Sequence, residues 1–358
     1  MKNFILLLVL CVGASATADE RFLPKATLLK MGYKPFVSAA QSAKLGLSRT
    51  APALQRNLQW PVEFEDAAHS IAQNYVNFQQ YGGTQAYFHG GCDLRANADS
   101  WVTAPVTGTL EAGYYSYAEN EDGSSQKYWK PWTGQTHDDP YFELAIVTAD
   151  GYRIELHHVN STNLPASTIA ALNKGGVVIQ AGTKVGHVYY WPDGEYHHVH
   201  YNIHKPDGTI VNPEAYSIEV PDHVAPTIVN VYAKTSDGRS QVLRESETAQ
   251  GNVDEIVVAT TETRDNSVYV QTPPYAAIKF ANGHSFAWDF REQLLGPDGH
   301  WPDLRKVFLD SINGSETFGQ YGKGMFLMRL PTANQKGAFT IEVGDTAGNM
   351  TKFSGAIN

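Results

Sequence analysis

Cysteine is nearly absent. The 358-residue chain carries two, Cys11 and Cys92, and Cys11 falls in an N-terminal stretch that reads as removable, so no disulfide is expected within the mature protein. A chain of this size without disulfides relies on its apolar core, with a bound metal as a further source of stability. Long hydrophobic runs are equally scarce. The one long run, Phe4 to Val12, spans nine residues, too few to cross about 30 Å of hydrocarbon at about 1.5 Å each. Lys2 precedes it, and Ala14-Ser15-Ala16 or Ala16-Thr17-Ala18 follows, which is the pattern of a cleaved secretory signal over residues 1–18. The expectation is an exported protein, periplasmic or extracellular, with no membrane attachment after signal cleavage. Basic residues are also in deficit: Lys and Arg number 27 against 37 Asp and Glu, a formal charge of −10. That argues against a general nucleic-acid binder, which needs cationic surface to neutralise phosphates. Finally, no His-Glu-x-x-His occurs, so the glutamate base of helix-borne zinc proteases is missing.

What is present points to β-structure. Hydrophobic residues make up 42% and charged residues 18%, with 19 Tyr, 15 Phe, 31 Gly and 18 Pro, a globular composition tilted towards strands and turns. The length predicts about two domains. Residues 19–75 have no clean period and read as an N-terminal wrapping segment, with Asp66 to Asn77 a candidate short helix. Over residues 76–220, short alternating or apolar runs such as Tyr141 to Thr148, Tyr152 to Val159 and His198 to His204 are separated by Gly, Pro, Asp and Asn, the signature of antiparallel strands. Tyr114 to Asp139 has no convincing period and reads as a long surface loop whose aromatics either wall a cleft or pack onto the domain. Val220 to Pro226 marks a boundary, and residues 224–358 predict a β-sandwich. Asp345-Thr346-Ala347-Gly348-Asn349 there resembles the last-strand signature of bacterial immunoglobulin-like modules.

The chemistry concentrates in the histidines, 13 in all. In a strand over His198 to His204, His198, His200, Asn202 and His204 share one face and Val199, Tyr201 and Ile203 the other. Such a strand buries one face and aims a metal ligand and an acid–base group into a cleft from the other. Upstream, His89 and Asp93 flank Gly90, Gly91 and Cys92, so the chain can turn and bring an imidazole and a carboxylate to one ion. His89, Asp93 and either His198 or His200 would give the three protein ligands of a catalytic zinc. Cys92 itself reads as a small buried residue behind them rather than a thiolate ligand. Alternation over Tyr152 to Val159 puts His158 with Ile154 and Leu156, and His157 with Arg153 and Glu155, so only one of the two histidines is expected in a given cleft. His137-Asp138-Asp139 is set aside as a cation site, since adjacent residues rarely converge on one ion.

These residues, in order, resemble the lysostaphin-type zinc metallopeptidases, β-rich endopeptidases that cut peptide bridges in bacterial cell wall. His89-Gly90-Gly91-Cys92-Asp93 is similar to that family's H-x-G-x-D, and Ala104-Pro105-Val106-Thr107-Gly108 to its A-P-x-x-G. Leu156-His157-His158-Val159 is similar to Y-x-H-L with Leu for Tyr, and Gly182-Thr183-Lys184-Val185-Gly186 to a G-x-x-(I/V)-G turn. His198-Val199-His200-Tyr201-Asn202 is similar to H-x-H-F-E with Asn for Glu, and Val211-Asn212-Pro213 to V-D-P. The resemblance implies an antiparallel β-sheet metallopeptidase domain of the lysostaphin type followed by the β-sandwich. It implies one Zn2+ held by His89, Asp93 and His200, with His158 and His198 as the catalytic pair and His157 as competitor to His158. The implied partner is bacterial peptidoglycan peptide. The alternative is a non-catalytic relative that binds cell-wall peptide or regulates another wall hydrolase; the presence of every candidate ligand favours the enzyme.

Overall fold

A computed structural model describes residues 21–36, 54, 56–64, 70–79, 87–119, 125–191, 196–265, 267–294, 296–297, 302–309 and 325–358. The signal-like stretch 1–18 lies outside the described residues. The chain is mostly β and the sheets are dominated by antiparallel pairs, as expected from its composition and alternation. The largest sheet runs in the order Lys34–Pro35, Ser125–Pro131, Gly108–Glu119, Phe142–Val147, Arg153–His157, His198–His204, Cys92–Arg95, Ile71–Gln73. Val178–Ile179 pairs with Gly108–Glu119, and Ile210–Val211 with His198–His204.

The alternation of His198–His204 orients the whole sheet. Val199, Tyr201 and Ile203 are buried on one face. There Tyr201 stands opposite Cys92 on one side and Leu156 on the other, and Leu156 opposite Leu144. Each such apolar side chain contributes about 1.5–3 kcal/mol by leaving water. A slip of one residue would exchange that face for the histidines, so the register is strongly specified. Cys92 sits in this core with no exposure, and burial pushes its thiol well above the ordinary value.

Two expectations are corrected. The stretch 114–139 is not a long loop: Gly108–Glu119 and Ser125–Pro131 form a paired antiparallel hairpin, with Tyr115 opposite Trp129 and Tyr117 opposite Lys127. Tyr114 and Tyr115, neighbours on opposite faces, are both buried. A strand covered on both faces shows no polar alternation, which hides its period. Likewise, of the helix expected over 66–77, the described part holds the strand Ile71–Gln73, paired with Cys92–Arg95. Pairing at the sheet edge overrides a weak local preference. Residues 65–69 lie outside the described residues.

The helix Lys25–Lys30 and the strand Lys34–Pro35 lie along the hairpin, Lys34 opposite Trp129. Arg21 anchors this segment through an ion pair of 3.0 Å to Asp139 and a guanidinium 4.5 Å above the Tyr141 ring. Beyond residue 226 the strands form two further sheets. One has the order Ser240–Leu243, Thr227–Thr235, Val253–Thr261, Phe326–Pro331; the other Thr248–Ala249, Met350–Ile357, Gly337–Gly344, Tyr275–Phe280, Ser285–Asp289. Buried polar contacts tie them to the first half. Asn74 Nδ2 donates to the Thr272 carbonyl (2.7 Å), Thr272 Oγ1 to Asn77 Oδ1 (2.9 Å) and Gln271 Nε2 to the Ile71 carbonyl (2.7 Å). Among the described residues no helix is long and apolar enough to cross a membrane.

Candidate metal centre

One rung of the large sheet carries the site. Asp93, His200, His157 and Glu143 are successive cross-strand partners on the face opposite the apolar core. His89 reaches them from the segment before Cys92–Arg95. Its backbone N–H donates to the Asn77 carbonyl (2.8 Å), and its Nδ1 lies 3.0 Å from the Asn74 carbonyl. A carbonyl only accepts, so Nδ1 carries the proton and Nε2 presents a lone pair. That Nε2 lies 2.7 Å from His200 Nδ1 and 2.9 Å from Asp93 Oδ1, and the last two are 2.9 Å apart.

Three acceptor-type atoms in a nearly equilateral triangle need positive charge between them. One proton on His200 Nδ1 can serve only part of that need, whereas a divalent ion serves all three. The donor set of two imidazole nitrogens and one carboxylate oxygen suits zinc, whose tetrahedral bonds of about 2.0–2.1 Å put donors about 3.3 Å apart. Separations here are within about half an ångström of that, and all three residues are buried. His200 Nε2, on the far side of the ring, is buried without a hydrogen bond. Burial opposes ionisation of Asp93, yet the surrounding imidazoles of His89, His198 and His200 hold its carboxyl well below the usual range. Burial and the neighbouring His89 push His200 down to about 3, so at neutral pH it stays in the uncharged form that can ligate.

Two more imidazoles border this triangle. His198 Nδ1 donates to the Tyr196 carbonyl (2.9 Å), and its Nε2 lies 3.9 Å from Asp93 Oδ1. His158 Nδ1 donates to the Pro140 carbonyl (2.8 Å), and its Nε2 is buried without a partner. The two rings are 4.8 Å apart. Burial, followed by His198 and His157, holds His158 well below the ordinary imidazole value. Strict alternation had put His158 on the core face with Leu156. Instead the strand ends at His157, and His158 takes a left-handed backbone with φ 59°. A left-handed non-glycine residue costs about 1–3 kcal/mol, and here it returns the imidazole to the side of His198 and His200. Both members of the histidine pair therefore approach the centre, against the expectation that only one would.

His157 plays a different part. Its Nε2 lies 3.1 Å from Glu143 Oε2 and 3.2 Å from Glu155 Oε2, and its ring stacks 5.0 Å from His200 and lies tilted 4.1 Å from Tyr115. Lys127 Nζ bridges Glu143 (2.6 Å) and Glu155 (2.7 Å), Arg153 contacts both carboxylates, and His204 Nε2 is 3.1 Å from Glu155. Asn202 donates to Glu155, on the neighbouring strand, from 3.5 Å. Alternation places Arg153, Glu155 and His157 on one face, but the network also depends on which strand pairs beside them, which local pattern does not carry. The same holds for the Asn74 and Pro140 carbonyls, for Tyr196, whose hydroxyl donates to Asp93 Oδ2 (3.1 Å), and for Trp191, which stacks on His198.

The network gives a pH prediction. Burial and the Glu155 charge oppose ionisation of Glu143, but Lys127, Arg153 and His157 outweigh them and bring it from 4.5 to about 2. For Glu155, burial is likewise outweighed, chiefly by Lys127 and His204, and its carboxyl lies well below the usual value. Folded values below unfolded ones mean stability that is present above about pH 4.5 and lost as pH falls towards 2. Chemical denaturation at successive pH values is expected to show this loss, and Glu143→Gln to flatten it; an unchanged slope in the variant would refute the assignment.

Gly91 of the His89–Asp93 segment is required for space. A Cβ there would overlap Asn202 Oδ1 and the Tyr201 carbonyl oxygen. Gly91→Ala is therefore expected to cost about 2–3 kcal/mol and to weaken metal binding, readable as a lowered midpoint in urea together with a lowered metal content. Gly90→Ala, which meets only the Ile210 methyl at 3.4 Å, serves as the mild control.

The fold and site together define a β-sheet protein with three donors that could hold a metal ion, flanked by two further imidazoles. No family model and no curated protein matches the chain. Solved structures similar to parts of it include a zinc containing peptidase from Vibrio cholerae, 15% identical, with 47% of this chain and 41% of that chain covered and a TM-score of 0.31. They also include the antimicrobial peptidase lysostaphin from Staphylococcus simulans, 13% identical, covering 84% and 100%, with a TM-score of 0.29. A third is the SpoIIQ–SpoIIIAH pore forming complex, 17% identical, covering 46% and 92%, with a TM-score of 0.30. Likenesses of this size leave the function to the site itself.

Proposed function

We propose that the protein is an exported zinc metalloendopeptidase that hydrolyses peptide cross-links of bacterial peptidoglycan. The observation that carries the reading is the triangle of His89 Nε2, Asp93 Oδ1 and His200 Nδ1, 2.7–2.9 Å on each side, beside the unpartnered Nε2 of His158. A zinc ion held there supplies a Lewis acid that polarises the scissile carbonyl and lowers the pKa of a water towards about 7. His198 and His158, each with Nδ1 donating to a backbone carbonyl, keep Nε2 as proton acceptor. One takes the proton of the attacking water and passes it to the leaving amine. Once protonated, the same nitrogen donates a hydrogen bond to developing oxyanion charge. No glutamate base is needed. The choice of peptidoglycan as substrate rests on the ordered motifs of the first half.

Incubation of purified, zinc-loaded protein with cell-wall sacculi is expected to release new peptide ends by mass spectrometry, at about one zinc per chain by elemental analysis. Sacculi bound without new ends would overturn the catalytic reading in favour of the non-catalytic alternative.

A further inference from the structure

A second cluster of acids lies far from the histidines in sequence and chemistry. Asp222 stands in the segment joining the two halves, Glu262 just past the strand Val253–Thr261, and Asp345 just past Gly337–Gly344. One carboxylate oxygen from each lies within 4.8 Å of the others, and all three residues are buried. Asp345 is already oriented by backbone and side-chain donors: Oδ1 accepts from Gly348 N (2.6 Å) and Asn349 N (2.8 Å), and Oδ2 from Asn349 Nδ2 (2.7 Å). Asp222 Oδ1 accepts from Val224 N (3.2 Å). Glu262 is the exception. It is 2% exposed and neither of its carboxylate oxygens has a hydrogen-bond partner, although one of them lies among the acids.

Buried acceptors without donors are expensive, and the charge around this one is unbalanced. Arg264 is the cation facing the cluster; it is ion-paired to Glu214 and 3.9 Å from Asp222 Oδ2. Among the described residues, four carboxyl groups thus share one guanidinium. Burial, then Asp222 and Asp345, push the Glu262 carboxyl up to about 9.

We propose that Asp222, Glu262 and Asp345 form a structural calcium site that clamps the connecting segment to the C-terminal sheets. Only oxygen donors converge, with no imidazole or thiolate, which selects a hard cation. Bonds of about 2.3–2.6 Å in a flexible shell bridge donors spread over such a distance, whereas magnesium demands a tighter octahedron. The clamp also has a route to the histidines. Glu262 exchanges both backbone hydrogen bonds with Gln271 (3.0 and 2.8 Å). Gln271 and Thr272 in turn hold Ile71, Asn74 and Asn77, and the Asn74 carbonyl orients His89.

The test uses the full chain, freed of divalent ions and reloaded with one equivalent of zinc. Equilibrium dialysis with radioactive Ca2+ is expected to show one ion per chain for wild type and none for Glu262→Gln. Calcium at saturation is expected to raise the wild-type Tm by at least about 3 °C and to leave Glu262→Gln unmoved. Asp222→Asn, which keeps the acceptor for Val224 N, gives a second loss of binding should the first variant fold poorly. His200→Ala is expected to keep the calcium response, which separates this site from the zinc reading. No bound calcium at 10 mM (about the weakest useful range), an equal response in Glu262→Gln, or an equal response to magnesium would overturn the calcium assignment.

Discussion

Replacing His200 with alanine is expected to take bound zinc from about one per chain to near zero and to lower peptide-bond hydrolysis by at least about 10⁴-fold. His200 Nδ1 is the vertex shared by the contacts to His89 Nε2 (2.7 Å) and Asp93 Oδ1 (2.9 Å). Without it two donors remain, one fewer than a catalytic zinc ordinarily has from protein. Elemental analysis of the purified variant, paired with a rate on murein peptide, reads both losses. The control is His204→Ala, on the same strand face but facing Glu155 rather than the triangle; it is expected to retain zinc. Zinc retained at full occupancy in His200→Ala would move the metal elsewhere in the protein.

The second large effect separates metal binding from catalysis. His198→Ala and His158→Asn are expected to keep about one zinc per chain yet lose about 10³-fold or more in rate, the size of effect expected of a proton-transfer or oxyanion group. Asparagine is the replacement of choice at 158 because it tolerates the left-handed backbone, φ 59°, better than alanine does. Neither imidazole belongs to the three-atom triangle: the His198 Nε2 is 3.9 Å from Asp93 Oδ1, and His158 meets only the Pro140 carbonyl through Nδ1. Residual hydrolysis equal to wild type in both variants, or loss of zinc in either, would remove them from the catalytic role.

Much of this site was legible before any coordinates. The period of two over His198 to His204 put the histidines and Val199, Tyr201 and Ile203 on opposite faces, because successive side chains of a strand point to opposite sides. His89 and Asp93 were legible as residue types able to meet at one ion across two glycines; the structure shows in addition that Gly91 has no room for a side chain against Asn202 and Tyr201. The hairpin over 108–131 was not legible. Its strands are covered on both faces, and the outcome depends on neighbours that lie far away in sequence, among them Lys34 opposite Trp129. Nor was the strand Ile71–Gln73, whose identity comes from its partner Cys92–Arg95.

The mostly β character, the apolar and histidine faces of the central strand, and the residue types able to hold a metal follow from side-chain chemistry and a strand's period alone. Which atoms meet was settled by packing across the chain. Strand pairing put Asp93 against His200 and His200 against His157; a left-handed residue turned His158 off the core face; and the Asn74 carbonyl fixed the tautomer of His89. The pairings join residues 43 and 107 positions apart, and the energy of each of these features depends on the partner that arrives, so local pattern carries no record of it.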